Sequence, residues 1–178
     1  MIVVDATLTM EVLMAHDAYC VARGIQYGLF GVHADLVGGI ESLQGLRTLD
    51  LKDVEEVFDH FQLPQHLHTL KVKGTQIAAM AFPLPLMLHT LELFNVFQNR
   101  LALLHLPPHL HTLRLHDLSS DRLDGLVLPS SLRVLVVKRA NLTTLAHYPF
   151  PSDVHHLDLA QTKIASLRDS ICQHICIP

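Results

Sequence analysis

Three histidines recur at nearly constant spacing in the middle of the chain, at His68, His89 and His111. Neutral imidazole binds zinc and other transition metals, and its charge changes near neutral pH. Three interpretations follow: solvated or hydrogen-bonded side chains, a metal site, or a stack that responds to pH. The first is preferred, because side chains on neighbouring strands form a line, whereas zinc needs a compact tetrahedral set of ligands.

Two other groups of reactive side chains lie near the C-terminus. Cys172 and Cys176 have the spacing of one helix face with His174 between them, but two thiols without further ligands do not make a structural zinc site. We therefore predict that they are small, buried cysteines of a cap. His156 and Asp158 share one strand face, and no nucleophile stands at the matching positions of the preceding repeat.

The sequence lacks the motifs of common enzyme sites. It has no glycine-rich phosphate loop, no nucleophile elbow and no paired carboxylates. We therefore predict no catalytic residues, no cofactor, no bound metal and no enzymatic activity.

The composition narrows the class of protein. Apolar residues make up 49% of the 178 residues and charged residues 17%, with a net charge of −4 and 14 histidines. No basic stripe appears, which argues against nucleic-acid binding. The longest apolar run, residues 77–88, is too short to span a bilayer and contains Pro83 and Pro85.

The N-terminus and the cysteines indicate the compartment. Asp5 stands where a secretory signal would place a basic residue, and the three cysteines are an odd number. We therefore predict reduced thiols and an intracellular location.

The histidines belong to a segment that the chain repeats five times. The copies occupy residues 63–70, 84–91, 106–113, 128–135 and 150–157. At the end of each copy, inward apolar residues alternate with outward residues that are mostly polar, as in Leu113-Arg114-Leu115, and this alternation predicts one short, half-buried strand per repeat. Repeats of this length indicate a stacked solenoid.

The Leu-Pro-x-x-Leu-x-x-Leu-x-Leu pattern resembles the leucine-rich repeat family over about residues 43 to 167, including a weaker copy at 46–51. It is similar to the repeats of some bacterial effectors and protist proteins. The resemblance implies an α/β-type or mainly-β solenoid: a curved right-handed superhelix with a parallel sheet on its concave face. Short irregular or 3₁₀ returns would lie on its convex face.

The chain departs from the family after each strand. Family repeats usually place an Asn or Cys there, whose side chain satisfies backbone groups of the turn. The corresponding residues here are Val54, Thr75, Val96, Leu118, Ala140 and Thr162. We therefore expect the turns after the strands to be less regular than in the family.

The regions on either side of the clear repeats are less regular. Residues 1–23 are predicted to form a divergent repeat or a helical cap, 24–167 the solenoid, and 168–178 a short cap or tail. A degenerate repeat over 24–32 would turn Tyr27 and Leu29 inward. Its predicted return residues are Leu36, Ile40 and Leu43, and the predicted N-terminal helix face is Leu8, Val12, Ala15 and Tyr19. Such thin caps leave room for a second molecule at the ends of the solenoid.

The outward strand positions form the candidate binding surface. A threonine column at 48, 69, 90 and 112 is interpreted as a structural ladder. Apolar residues on this otherwise polar face, with polar residues beside them, have the composition of a binding site. The candidate partner-binding residues are Phe94, Arg114, His116, Val134, Val136, Lys138 and His156.

Three functional hypotheses follow. The preferred one is a non-catalytic scaffold or interaction module that binds a protein partner as a subunit of a larger assembly. The second is a stand-alone recognition protein or effector that binds through the concave face. The third is a metal protein that uses its histidines.

Overall fold

The protein is a mainly-β solenoid built around one parallel sheet, as expected. A computed structural model describes residues 2–3, 9–33, 38–52, 62–74, 83–96, 101–102, 104–145 and 148–165. Within these ranges eight strands lie side by side in chain order, and each neighbouring pair is parallel. The strands are β1 (Ile2–Val3), β2 (Tyr27–His33), β3 (Leu46–Lys52), β4 (Thr69–Val72), β5 (Thr90–Phe94), β6 (Thr112–His116), β7 (Val134–Lys138) and β8 (His156–Asp158).

The alternation within each strand sets the two faces of the sheet. Leu70, Leu91, Leu113, Leu135 and Leu157 pair in register across β4 to β8, and each is at most 3% exposed. Successive side chains of a strand point to opposite faces, so the residues between these leucines form the other face. We call the leucine side the inner face and the opposite side the outer face.

Strand β2 lies in the segment where the sequence predicts a degenerate repeat. Tyr27 and Leu29 are buried, and Leu29 pairs with Leu49 of β3. The register between β2 and β3 shifts twice, which marks a bulge. The return residues Ile40 and Leu43 are buried as predicted, whereas Leu36 lies outside the described residues.

The N-terminal region contains both a strand and a helix. Helix α1 (Met10–Val21) connects β1 to β2, and the Thr9 side chain caps its first turn. The predicted buried face was wrong, since Val12 and Tyr19 are each 54% exposed. The helix instead buries its other side, which consists of Leu13, Asp17 and Cys20. Apolar residues occur all around this helix, so their spacing alone did not identify the buried side.

The Leu-Pro-x-x-Leu segments are tight turns that lead into the strands. The backbone N–H of Leu110 donates to the carbonyl of Pro107 at 3.1 Å, and four other copies repeat this bond. Returns of neighbouring repeats pack closely together. A Cβ on Gly125, which has a φ of 83°, would lie 2.7 Å from the Cβ of Ala102.

The turns after the strands are more regular than the sequence indicated. A residue with positive φ follows β5, β6 and β7 directly, and another comes shortly after β8. These residues are Asn95, Asp117, Arg139 and Gln161. Buried apolar side chains stand at the family's polar position in Val96, Leu118 and Ala140. The backbone ladder continues one residue past the strand, as in the bond from Asp117 N–H to Lys138 O of the neighbouring strand at 3.0 Å.

One expectation concerns residues beyond this description. The helix predicted within 168–178, with Cys172 and Cys176, lies outside the described residues. Among the described helices, none has the length and apolar composition needed to cross a membrane.

Candidate functional site: the outer face of the sheet

The seven candidate residues form one continuous area of the outer face. The strand register arranges them in three neighbouring rows across β5 to β8. The rows are Phe94, His116 and Lys138; then Glu92, Arg114, Val136 and Asp158; then Thr112, Val134 and His156. The structure thus brings the predicted residues together, and it adds Glu92 and Asp158, which the sequence prediction did not include.

An aromatic pair lies at one edge of this area. The rings of Phe94 and His116 stack with centroids 4.4 Å apart and an interplanar angle of 9°. The Nζ atoms of Lys71 and Lys73 each lie 5.3 Å from the centroid of the Phe94 ring, within the range of a cation–π contact. We call Phe94, His116, Lys71, Lys73 and Glu92 the aromatic patch.

Glu92 lies between Lys71 and His116 of the aromatic patch. Its carboxylate lies 3.4 Å from Lys71 Nζ and 3.2 Å from His116 Nε2. Neither ring nitrogen of His116 makes a well-formed hydrogen bond, although Nε2 lies close to the Glu92 carboxylate. The predicted binding residues did not include Lys71 or Glu92. These two residues occupy equivalent outward positions of adjacent repeats and pair in register.

Burial governs the ionisation of His116. Removal from water lowers the pKa of His116 below its ordinary value, while the carboxylate of Glu92 acts in the opposite direction. Desolvation disfavours the charged form of an imidazole, and the nearby carboxylates of Glu92 and Asp117 do not offset it. The aromatic patch therefore presents a neutral imidazole at pH 7, which stacks on Phe94 as an apolar ring.

The exposure expected for Val136 was wrong. Its side chain is 4% exposed although it lies on the outer face and does not belong to the inner core. Its strand neighbours in register are Arg114 and Asp158, and Asp158 Oδ2 bonds Lys138 Nζ at 2.7 Å. This ion pair joins β7 to β8 beside Val136, and long side chains of this kind cover apolar surface. Val136 thus supports its neighbours rather than offering free surface.

The remaining candidates differ in exposure. Arg114 and His156 are exposed, while Val134 and Lys138 are intermediate. The bond from Lys138 lowers the pKa of Asp158, so this carboxylate is charged and already paired. His156 and Asp158 therefore do not form an acid–base pair of their own.

The histidine column forms a contiguous stack. His68 and His89 meet edge to face with ring centroids 5.1 Å apart, and His89 and His111 stack 5.2 Å apart at an angle of 6°. Parallel rings cannot direct lone pairs at one central ion. Within the described ranges, no cluster of three or more histidine, cysteine or acidic side chains has the arrangement of a metal site.

Comparison with known proteins gave no relative. No protein-family model, no curated protein and no solved structure matches this chain.

Proposed function

We propose that this chain is a leucine-rich-repeat protein that acts as a non-catalytic interaction module and binds a partner protein through the aromatic patch. The repeat pattern of the sequence supports the family assignment, together with the parallel solenoid and its inward leucines. In this proposal the outer face is the concave side of a right-handed superhelix.

The stacked pair of Phe94 and His116 is the observation that carries the proposal. Binding hot spots combine an aromatic anchor with a surrounding rim of polar groups. Phe94 is half-buried at the end of β5, and Lys71, Lys73 and Glu92 surround it with charges of both signs. An aromatic ring held in place by its neighbours loses little conformational entropy when a partner covers it.

Comparative affinity purification from cells of the source organism tests this proposal. Wild-type bait and a Leu86→Ala control should recover the same partner, while Phe94→Ala should recover at least about tenfold less of it. Leu86 is a suitable control because it is apolar, 64% exposed and located in a turn away from the aromatic patch. Equal recovery by the two variants, with equal thermal stability, would contradict the proposal.

The exposed apolar residues on the two flanks of α1 favour membership of a larger assembly over a free-standing recognition protein. Val12, Met14, Tyr19 and Val21 are each about half exposed on this one helix. A helix that is apolar all around is normally covered on all sides.

Sedimentation velocity of the native complex should show a smaller species for Met14→Glu, whereas Glu11→Gln, a change in the same helix turn, should leave its size unchanged. An unaltered complex in Met14→Glu would oppose a role for α1.

A further inference from the structure

The histidine column is part of a longer basic row along the edge where the chain enters the strands. Each residue of this row after the first donates its backbone N–H to the carbonyl of the preceding member, at 2.8 to 3.1 Å. The members, one for each of β3 to β8, are Arg47, His68, His89, His111, Arg133 and His155. We call these six residues the basic edge.

Local hydrogen bonds determine where two of the imidazoles can take up a proton. His89 Nδ1 lies 2.6 Å from the carbonyl oxygen of Met87, and His155 Nδ1 lies 3.2 Å from that of Asp153. A carbonyl oxygen only accepts, so Nδ1 carries the hydrogen in both rings and Nε2 is the basic nitrogen. Protonation at Nε2 adds a charge without breaking either bond.

The side chains around the basic edge are more often basic than acidic. The turns that precede the strands contribute His66 and His109. Each of the five copies has two residues at its turn, and these pairs are Gln65-His66, Leu86-Met87, Pro108-His109, Ser130-Ser131 and Ser152-Asp153. Asp153 is the one carboxylate of these ten described residues, and the guanidinium of Arg47 donates to the backbone carbonyls of Gln44 and Leu46.

The nearest strand carboxylate on β5 is already engaged. Glu92 follows His89 by three residues, or about 10 Å along a strand. It lies against Lys71 and His116 of the aromatic patch. The histidines of the basic edge therefore have one another and two arginines as their main charged neighbours.

This arrangement couples protonation to the binding of an anion. Burial lowers the pKa of His68, and the nearby His89, Arg47 and His66 lower it further. Each added proton increases repulsion along the row, and a bound negative group removes that repulsion. When a ligand binds the protonated row more tightly than the neutral one, the histidines take up protons as it binds. The affinity for such a ligand therefore rises as pH falls.

We propose that the basic edge binds a carboxylate-rich segment of a partner protein, and that this binding strengthens as pH falls from 7.5 to 5.5. Carboxylates keep their charge in this range because their ordinary pKa values are about 4. The chain carries a net charge of −4 with neutral histidines, so the attraction is localised at this edge. The site is separate from the aromatic patch and does not depend on the function proposed above.

An acidic polypeptide fits the basic edge better than a nucleic acid does. Arg47 and Arg133 are its only permanent cations, and the three strands between them carry histidines. Phosphate backbones are normally bound by many permanently charged lysines and arginines. A row whose charge rises on protonation of its histidines is suited to a partner that binds more tightly under mildly acidic conditions.

Fluorescence anisotropy with a labelled octaglutamate peptide tests this proposal at constant ionic strength. The wild-type Kd should fall about tenfold per pH unit for each proton taken up between pH 7.5 and 5.5. The variant H68Q/H89Q/H111Q should lose most of this dependence. The control H33Q/H105Q removes two exposed histidines that do not belong to the basic edge and should retain it.

Four results would overturn the proposal. They are an affinity independent of pH, equal losses in the triple variant and the control, tighter binding of an eight-residue oligothymidylate than of the peptide, and loss of binding in EDTA. The single variant His89→Gln, which removes the middle ring, should show a partial loss if the triple variant does not fold. Circular dichroism of each variant at both pH values establishes that folded proteins are being compared.

Discussion

At the scale of single residues, Asp17 is the polar group that fixes α1 on the sheet. Its side chain is 7% exposed, and its oxygens accept bonds from Tyr27 Oη at 2.8 Å and from the backbone N–H groups of Gln44 at 3.0 Å and Gly45 at 2.8 Å. These bonds join the helix, strand β2 and the turn before β3. Burial and the bond to Asp17 raise the pKa of Tyr27, so its hydroxyl stays a donor at neutral pH.

Loss of the Asp17 carboxylate should strongly destabilise the N-terminal part of the solenoid. Asp17→Ala removes three bonds to a charged acceptor, so we expect its free energy of unfolding to fall by about 3 kcal/mol or more. Tyr27→Phe removes one of the three and should cost about 1 to 2 kcal/mol. Urea denaturation followed by circular dichroism measures both values. An equal loss in the two variants would mean that the backbone bonds to Asp17 contribute little.

His116 should make the protein less stable in mild acid. The pKa of His116 is lowered in the folded state, mainly by burial, whereas histidine in an unfolded chain titrates near pH 6.5. The unfolded state therefore takes up its proton first, and stability present above pH 6.5 is lost as pH falls toward the lower folded pKa. Urea denaturation between pH 7.5 and 5.5 should show a smaller loss for His116→Phe, which keeps an aromatic ring on Phe94, than for the wild type. Identical pH dependence in both proteins would contradict this account.

At the scale of elements, the sequence predicted the strands well because apolar residues recur at every second position, which is also the period with which a strand buries its side chains. Only one register buries all of the inward leucines together, so the order and pairing of β4 to β8 follow from the repeat spacing alone. The buried face of α1 could not be predicted, because it includes the carboxylate of Asp17 while apolar side chains such as Val12 and Met14 are exposed. The burial of Val136 was also missed, since it depends on the ion pair of Lys138 and Asp158 on two different strands.

The turns after the strands carry backbone strain that a glycine should relieve. Gln161 is exposed and has a φ of 61°, a conformation that costs a residue with a Cβ about 1 kcal/mol. We expect Gln161→Gly to raise the free energy of unfolding by up to about 0.5 kcal/mol, after the entropy cost of glycine is subtracted. Lys163→Gly, in the same exposed segment but without a positive φ, should lower it instead. Thermal unfolding of both variants tests the difference, and two losses of equal size would count against strain at Gln161.

At the scale of the whole molecule, stability is distributed along the solenoid because each repeat contacts mainly its neighbours. Leu113 lies in β6 between two strands and is fully buried. Leu157 lies in β8, which pairs with β7 and has no second strand neighbour among the described residues. In such an array the energy of a repeat includes its contacts on both sides, so a middle repeat contributes more than a terminal one.

The same truncation should therefore have different consequences in the middle and at the end. Leu113→Ala should lower the free energy of unfolding by about 3 to 5 kcal/mol and increase hydrogen exchange in β5, β6 and β7 together. Leu157→Ala removes the same atoms, but we expect it to open β8 locally while β3 and β4 keep their protection. Hydrogen exchange followed by mass spectrometry distinguishes these responses strand by strand. If Leu157→Ala raised exchange equally from β3 to β8, the solenoid would unfold as one cooperative unit, and coupling would extend well beyond neighbouring repeats.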